Sequence, residues 1–347
     1  MTTKPAAKKV VFDERELGLG PAILAELRHV VDPVSQWSDT EQLGFSWWPG
    51  ELRQKFTCTL LDRGGGDPAF LLKAETDLVR DITTSPEQLY RSLVALGLDA
   101  ALSAPVSYSK EAKVRLCTSI VVDHETKALL RPLFWMATGI QVAEAHTLGG
   151  AFAKSLSGKL DVSAPPGRGQ RGEPDEILQM IEQMIWPEGQ GPSVWLGPSE
   201  FSYSLDCLKE EGGQAVRGDD AGFSCELPFG EADKAVIMAS AASRNPRMGS
   251  GVQITTTLPT RFTEEAANDR ATFCNSVEWF QGKHPLVGSW CVRRSAEFAS
   301  GCFTTFIPNS LFRPGLLAHF ARDAARRVRW AERIWAQDTK KMFEGTG

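Results

Sequence analysis

The sequence predicts an α+β protein made of two similar units, each an antiparallel sheet packed with helices in the order α-βββ-α-ββ-α, together forming an intramolecular pseudo-dimer. Three observations predict this. The 347 residues, 42% hydrophobic and 23% charged, suffice for two ordinary cores. The chain shows self-similarity at an offset of about 177 residues, the first thing a two-unit architecture should leave in a sequence. Leu19-Gly20-Pro21 opens an apolar helical stretch, and Leu196-Gly197-Pro198 opens another 177 residues later; Gly44-Phe45-Ser46 with Pro49 is answered at offset 178 by Gly222-Phe223-Ser224 with Pro228. Finally, short runs with period-two alternation are separated by turn chemistry, which favours hairpins over crossovers.

In the first unit Ile23, Leu24, Leu27, Val30 and Val31 give the opening helix its apolar stripe. Strands are predicted near 44–48, 55–61 and 69–78, with Gly64-Gly65-Gly66-Asp67-Pro68 as the turn between the last two. Ser85-Pro86-Glu87 starts a helix carrying Leu89, Leu93, Leu96 and Leu98, with proline at its first position. Strands over 114–122 and 129–140 follow, joined by Asp123-His124-Glu125, and a helix from 143 to 156 ends the unit.

The second unit repeats the order. Its opening helix carries Phe201, Leu205 and Leu208; strands follow at 223–229, 235–242 and 251–258, with turns at 230–234 and 245–249. Thr263 caps a helix with Glu264 and Glu265 in its first turn and Ala266, Phe273, Val277 and Phe280 as its stripe. Strands at 289–294 and 301–307 and a long helix from Leu316 to Trp335 close it. The resulting division is a tail at 1–18, units at 19–160 and 196–336, a Pro/Gly/Arg-rich linker at 161–174, a linking helix within 175–195, and a second tail at 337–347.

This order, with its internal similarity, resembles the type III secretion chaperone-like fold, including its YbjN-type members. The resemblance spans most of 19–160 and 196–335. It implies protein binding: a partly unfolded client segment held against apolar patches and sheet edges. An open sheet can accept an added strand, and aromatic side chains beside the edge provide pockets.

Composition bounds the alternatives. A net charge of −5 gives no global support for gripping nucleic acid phosphates, so nucleic acid is not an expected partner. The longest clearly apolar charge-free run, 132–143, is too short for a membrane span, and no signal peptide is apparent, which points to the cytoplasm. Seven cysteines without a CxxC pair argue against a disulfide framework or a Cys-rich zinc site. Cys117 and Cys291 read as packing residues in equivalent strands. His124 between Asp123 and Glu125 is the only cluster of potential ligands, and it reads as a solvated turn. Gly167–Gly172 fits GxGxxG, but Pro165-Pro166 occupies the place of the required strand. No catalytic residue, cofactor or metal ligand is assigned, and the reading favours a protein that is not an enzyme.

Two features carry the candidate partner surface. Ten tryptophans include adjacent Trp47 and Trp48, which on a strand must point to opposite faces, leaving one available to a partner. Between Arg313 and Trp335, in and just before the last helix, six arginines stand against Asp323 and Glu332, a local charge of +4. Arg322, Arg326, Arg329 and Arg333 therefore offer a docking face for an acidic partner, anionic lipid or RNA, although a solvated face over a buried stripe is the simpler expectation. The expected function is a chaperone or adaptor. The alternatives are an enzyme or small-ligand binder with a site between the units, and an assembly subunit docking through the basic helix.

Overall fold

The computed structural model describes residues 14–61, 68–185, 191–242, 244–245, 247–282 and 284–335. The glycine-rich turn at 64–67, the tail at 1–13 and the tail at 337–347 lie outside these residues. In the first half the elements are α1 (Glu14–Leu17), α2 (Leu19–Val31), β1 (Ser38–Glu41), β2 (Gly44–Trp47), β3 (Gln54–Leu61), β4 (Ala69–Arg80), α3 (Pro86–Asp99), β5 (Ala104–Tyr108), β6 (Lys113–Val122), α4 (Lys127–Ser155) and β7 (Lys159–Leu160). After α5 (Glu176–Ile185) come α6 (Pro198–Glu210), β8 (Gln214–Asp219), β9 (Gly222–Phe229), β10 (Asp233–Ser240), β11 (Arg244–Asn245), β12 (Gly249–Thr257), α7 (Glu264–Gln281), β13 (Ser289–Arg294), β14 (Ala299–Pro308) and α8 (Leu316–Trp335).

The strands form two antiparallel sheets of matching order, β1-β2-β3-β4-β6-β5 and β8-β9-β10-β12-β14-β13, with β7 on β4 and β11 on β12. The architecture is α+β and compatible with two similar units, but each path has six strands where five were expected. Two short strands precede the expected set. Ser38–Glu41 and Gln214–Asp219 are polar edge strands, so they lack the buried alternation that marks a strand in sequence. β5 was also missed: it is a five-residue edge strand containing Pro105, and proline argues against an internal strand while an edge tolerates it.

The predicted strand at 129–140 is helical. Its residues lie in α4, where Leu130, Leu133, Phe134, Ala137 and Ile140 are all buried. α4 packs on β4 and β6 with one face and on α5 with another, so its apolar run is nearly continuous, and a buried helix then reads like a buried strand. Gln141 fixes the contact with the sheet: it bonds Gln54 (3.0 Å), Thr76 (2.8 Å), Thr118 (3.0 Å) and the Ala74 carbonyl (3.2 Å). Asp123-His124-Glu125 accordingly links a strand to a helix; Asp123 Oδ1 accepts from the Thr126 amide at 2.9 Å. Cys117 and Cys291 do not occupy equivalent strands, because β6 corresponds to β14 in sheet order and β13 to β5. Residues 14–17, expected in a tail, form α1, and Glu14 pairs with Lys127 at 2.7 Å.

The halves share one continuous core running from Leu19 to Ala331. Their contact is made by the same elements in both directions: α3 packs on α7, α3 on β13, and α7 on β5. Leu286, three residues before β13, exchanges backbone hydrogen bonds of 2.9 and 3.0 Å with Ser119. Ala101, three residues before β5, accepts from the Phe306 amide at 3.0 Å. Ser119 lies opposite Lys73 and Phe306 opposite Gln253, each the fifth residue of its central strand. One contact is thus made twice with the halves exchanged.

Candidate functional site

Between the halves, the C-terminal part of α7 stands beside the end of β5 and the turn into β6. The turn is a short 3-10 segment, Ser109–Glu111, closed by Ala112 in the left-handed region (φ 50°). The space left between them is a cleft of about 430 Å³ lined by Tyr90, Ser107–Glu111, Thr272, Phe273, Ser276, Val277 and Phe280. Phe280 is half exposed (50%) and meets the Tyr108 ring edge-on at 5.3 Å.

The outer face of the first sheet supports the cleft from below. Lys73, Glu75 and Asp77 alternate along β4 with buried Leu72, Ala74, Thr76 and Leu78, so their side chains share the face away from α4. Tyr108 donates to Glu75 at 2.5 Å and accepts from the Trp279 indole at 2.6 Å, linking sheet and α7. Arg115 lies over the Tyr108 ring at 4.1 Å and pairs with Asp77 (2.7 Å), Glu111 (3.0 Å) and Glu75 (3.5 Å). Arg53 holds the other Asp77 oxygen at 2.9 Å, and Lys73 donates to the Trp279 carbonyl.

These contacts set the protonation states. Burial pushes the Tyr108 hydroxyl far above its ordinary range, and the nearby Cys117 and Glu75 push the same way. Burial opposes the Arg115 charge, but Glu75 and Asp77 override it and hold the guanidinium protonated. The Lys73 ammonium is lowered by burial. All seven cysteines are buried; burial pushes Cys58 and Cys302 up to about 12 and Cys117 well above its usual value. Among the described residues no group of His, Cys, Asp and Glu could hold a metal ion. The cleft therefore presents aromatic faces, hydroxyls, the paired Glu111 and the exposed Lys110, a lining suited to recognition.

The chain shows no significant match to any family model, curated protein or solved structure.

The partner-binding residues predicted from sequence lie elsewhere. Trp47 ends β2 and Trp48 follows it, and both are buried, at 1% and 4% exposure. Trp47 enters the core. Trp48 is covered by the predicted Pro/Gly/Arg-rich linker: its indole donates to Ser163 at 3.0 Å, Val162 bridges to Leu52, and Arg171 donates to the Trp48 carbonyl. Neither indole is a free surface, which corrects the expectation that one would be.

The arginines lie on α8, whose opposite side buries Leu316, Leu317, Ala321, Ala325 and Val328. Arg329 pairs with Glu211 at 2.6 Å, Arg322 with Glu210 at 3.7 Å and Arg326 with Asp323 at 3.4 Å, while Arg333 borders an open hollow with Phe229 and Asp233. The acidic end of α6 thus answers much of the +4 within the chain. The structure does not gather the six predicted residues into one surface. Tyr108, Glu75, Arg115 and Trp279, by contrast, were missed as a group. The available signal was the alternation of charged residues in 69–78, which marks one face of a strand as polar.

Proposed function

We propose that the chain is a non-enzymatic protein-binding module, a chaperone or adaptor of the cytoplasm, built as an intramolecular pseudo-dimer of two secretion-chaperone-like units. It holds an extended segment of a partner protein by strand addition. The reciprocal contacts of Ser119 with Leu286 and of Phe306 with Ala101 support the pseudo-dimer, since a two-fold interface joins each patch to its counterpart.

The observation that carries the binding reading is the edge strand β8, the outermost strand of the second sheet, exposed at all six residues. The opposite edges, β5 and β13, are turned toward each other and covered by α7 and α3. An unpaired edge offers backbone donors and acceptors to another strand. Val216, 61% exposed, sits at a bulge between Ala215 and Arg217, a feature that discourages indiscriminate pairing while leaving the strand open to a fitted partner.

The test places a photo-crosslinking amino acid at Val216 in cells that make the protein. One recurring protein, joined through one segment, is the expected product, and Val216→Pro should abolish its co-purification while leaving the circular dichroism spectrum unchanged. A folded, crosslinker-bearing chain that joins to no protein would overturn the proposal.

A further inference from the structure

The cleft holds a feature that strand addition does not use. Thr272 lines it, is 2% exposed, and its hydroxyl has no hydrogen-bond partner. One turn earlier on the same side of α7, the side-chain oxygen of Asn268, 3% exposed, is also without a donor. Buried polar atoms are almost always paired, because an unpaired one has given up its hydration with nothing in return. Ser276, at the next turn, satisfies its own hydroxyl on the Thr272 carbonyl at 3.1 Å. The unpaired hydroxyl of Thr272 therefore lies at the wall of the cavity, where a bound group would reach it, while Asn268 lies one turn behind it and outside the lining.

The walls define the rest of the ligand. Phe273, Phe280, Tyr90 and Tyr108 supply aromatic surface, which favours a flat ring stacked or edge-on. The volume of about 430 Å³ lies in the usual range for small-molecule sites, and such sites favour the interface between domains. Two charged residues line the cleft. Glu111 is neutralised by Arg115 at 3.0 Å. Lys110 is exposed and makes no ion pair among the described residues, which leaves the opening with one uncompensated positive charge. We infer that the cleft between α7 and the β5–β6 turn is a binding site for a small planar aromatic anion, with its ring among Phe273, Phe280 and Tyr108, a polar atom on Thr272 and its negative group toward Lys110.

The site is distinct from the β8 edge, so partner capture at Val216 and ligand binding in the cleft can fail separately. The probes are 2-naphthoate, neutral 2-naphthylmethanol and cationic 2-naphthylmethylamine, titrated into the full chain with amide chemical shifts as the readout. Naphthoate should shift the amides of Ser107–Lys110 and Thr272–Phe280 and bind at least about tenfold tighter than the amine, a difference of about 1.4 kcal/mol. Lys110→Glu should erase that preference. Thr272→Val, nearly isosteric, should weaken naphthoate several-fold. Ser276→Trp, which fills the space, should abolish binding, and Thr272→Val keeps the test decisive should that variant fold poorly. Absence of naphthoate binding at millimolar concentration, shifts confined to other surfaces, or affinity unchanged in Thr272→Val and Lys110→Glu would each overturn the inference; a water molecule satisfying Thr272 would give the last result.

Discussion

Two titratable side chains on α4, the buried Glu144 and the half-buried His146, act on stability with opposite signs. Glu144 is fully buried, accepts from the Ala101 amide at 3.1 Å and from Ser103 at 3.4 Å, and burial pushes its carboxyl up to about 7. A carboxyl raised from about 4.5 binds its proton more tightly when folded, so its contribution is fully present below pH 4.5 and is lost as pH rises through 7. Glu144→Gln should therefore raise stability above pH 7 by about 2 kcal/mol and leave it nearly unchanged near pH 4.5, measured by urea denaturation at both values. His146, two residues beyond Glu144 and therefore on the other side of α4, packs against Gly50; burial pushes it down to about 4, and its Nε2 has no partner. Its contribution is complete above pH 6.5 and lost as pH falls toward 4. His284, against the Trp330 ring at 5.6 Å, is likewise lowered to about 4, burial being the main cause. The denaturation midpoint should thus fall between pH 6.5 and 4, and His146→Gln should flatten that slope; a slope unchanged in the variant would exclude His146 as its source.

Among the elements, α3 and α7 carry the contact between the halves, and Gly97 shows how closely one of them sits. A Cβ at Gly97 would lie 2.3 Å from Ser289 Oγ, 3.0 Å from Ser289 Cβ and 3.3 Å from Cys291 Sγ. Ser289 cannot move freely, because its hydroxyl is held by Asn275 at 3.2 Å and lies 3.2 Å from the Trp290 carbonyl. Glycine in a helix interior normally costs up to about 1 kcal/mol relative to alanine, but here overpacking outweighs that gain. Gly97→Val should destabilise the protein by about 2–3 kcal/mol, read from the denaturation midpoint, whereas a neutral or stabilising effect would mean that α3 stands off β13 in solution. The same scale explains what the sequence made legible. Helices with clear caps were placed well: Ser85 and Thr263 do accept from the backbone of their first turns. Interior strands with alternating apolar faces were equally plain. The polar edge strands carried no such pattern, and α4, buried on more than one side, lost the period that separates helix from strand. The cleft was invisible for a related reason: its residues come from α3, the end of β5, the β5–β6 turn and α7, and only tertiary contact brings Tyr108 to Trp279.

At the scale of the whole molecule, the two sheets do not have separate interiors. The core is continuous across the boundary, with Phe134 and Ile140 of α4 in the same cluster as Trp290 and Phe306 of the second half. The backbone bonds at Ser119 and Ala101 place each half's strand-leading segment against the other's last long strand. A buried ion pair adds to this boundary: Arg327 of α8 binds Glu278 of α7 at 2.8 Å and the Pro285 carbonyl at 2.6 Å, one residue before Leu286 reaches Ser119. Separating the halves would expose this surface and leave those amides unpaired. Each half alone would then resemble a subunit of an obligate dimer, whose stability is inseparable from its partner. The expectation is one cooperative thermal transition for residues 19–336, with calorimetric and van't Hoff enthalpies in agreement. Arg327→Met, which strands the Glu278 carboxylate, should lower that single transition by about 3–5 kcal/mol without splitting it, and Glu278→Gln in the same chain should recover much of the loss. Two resolved transitions in the unaltered protein, or an isolated second half as stable as the whole, would show instead that the shared core contributes little and that the halves stand alone.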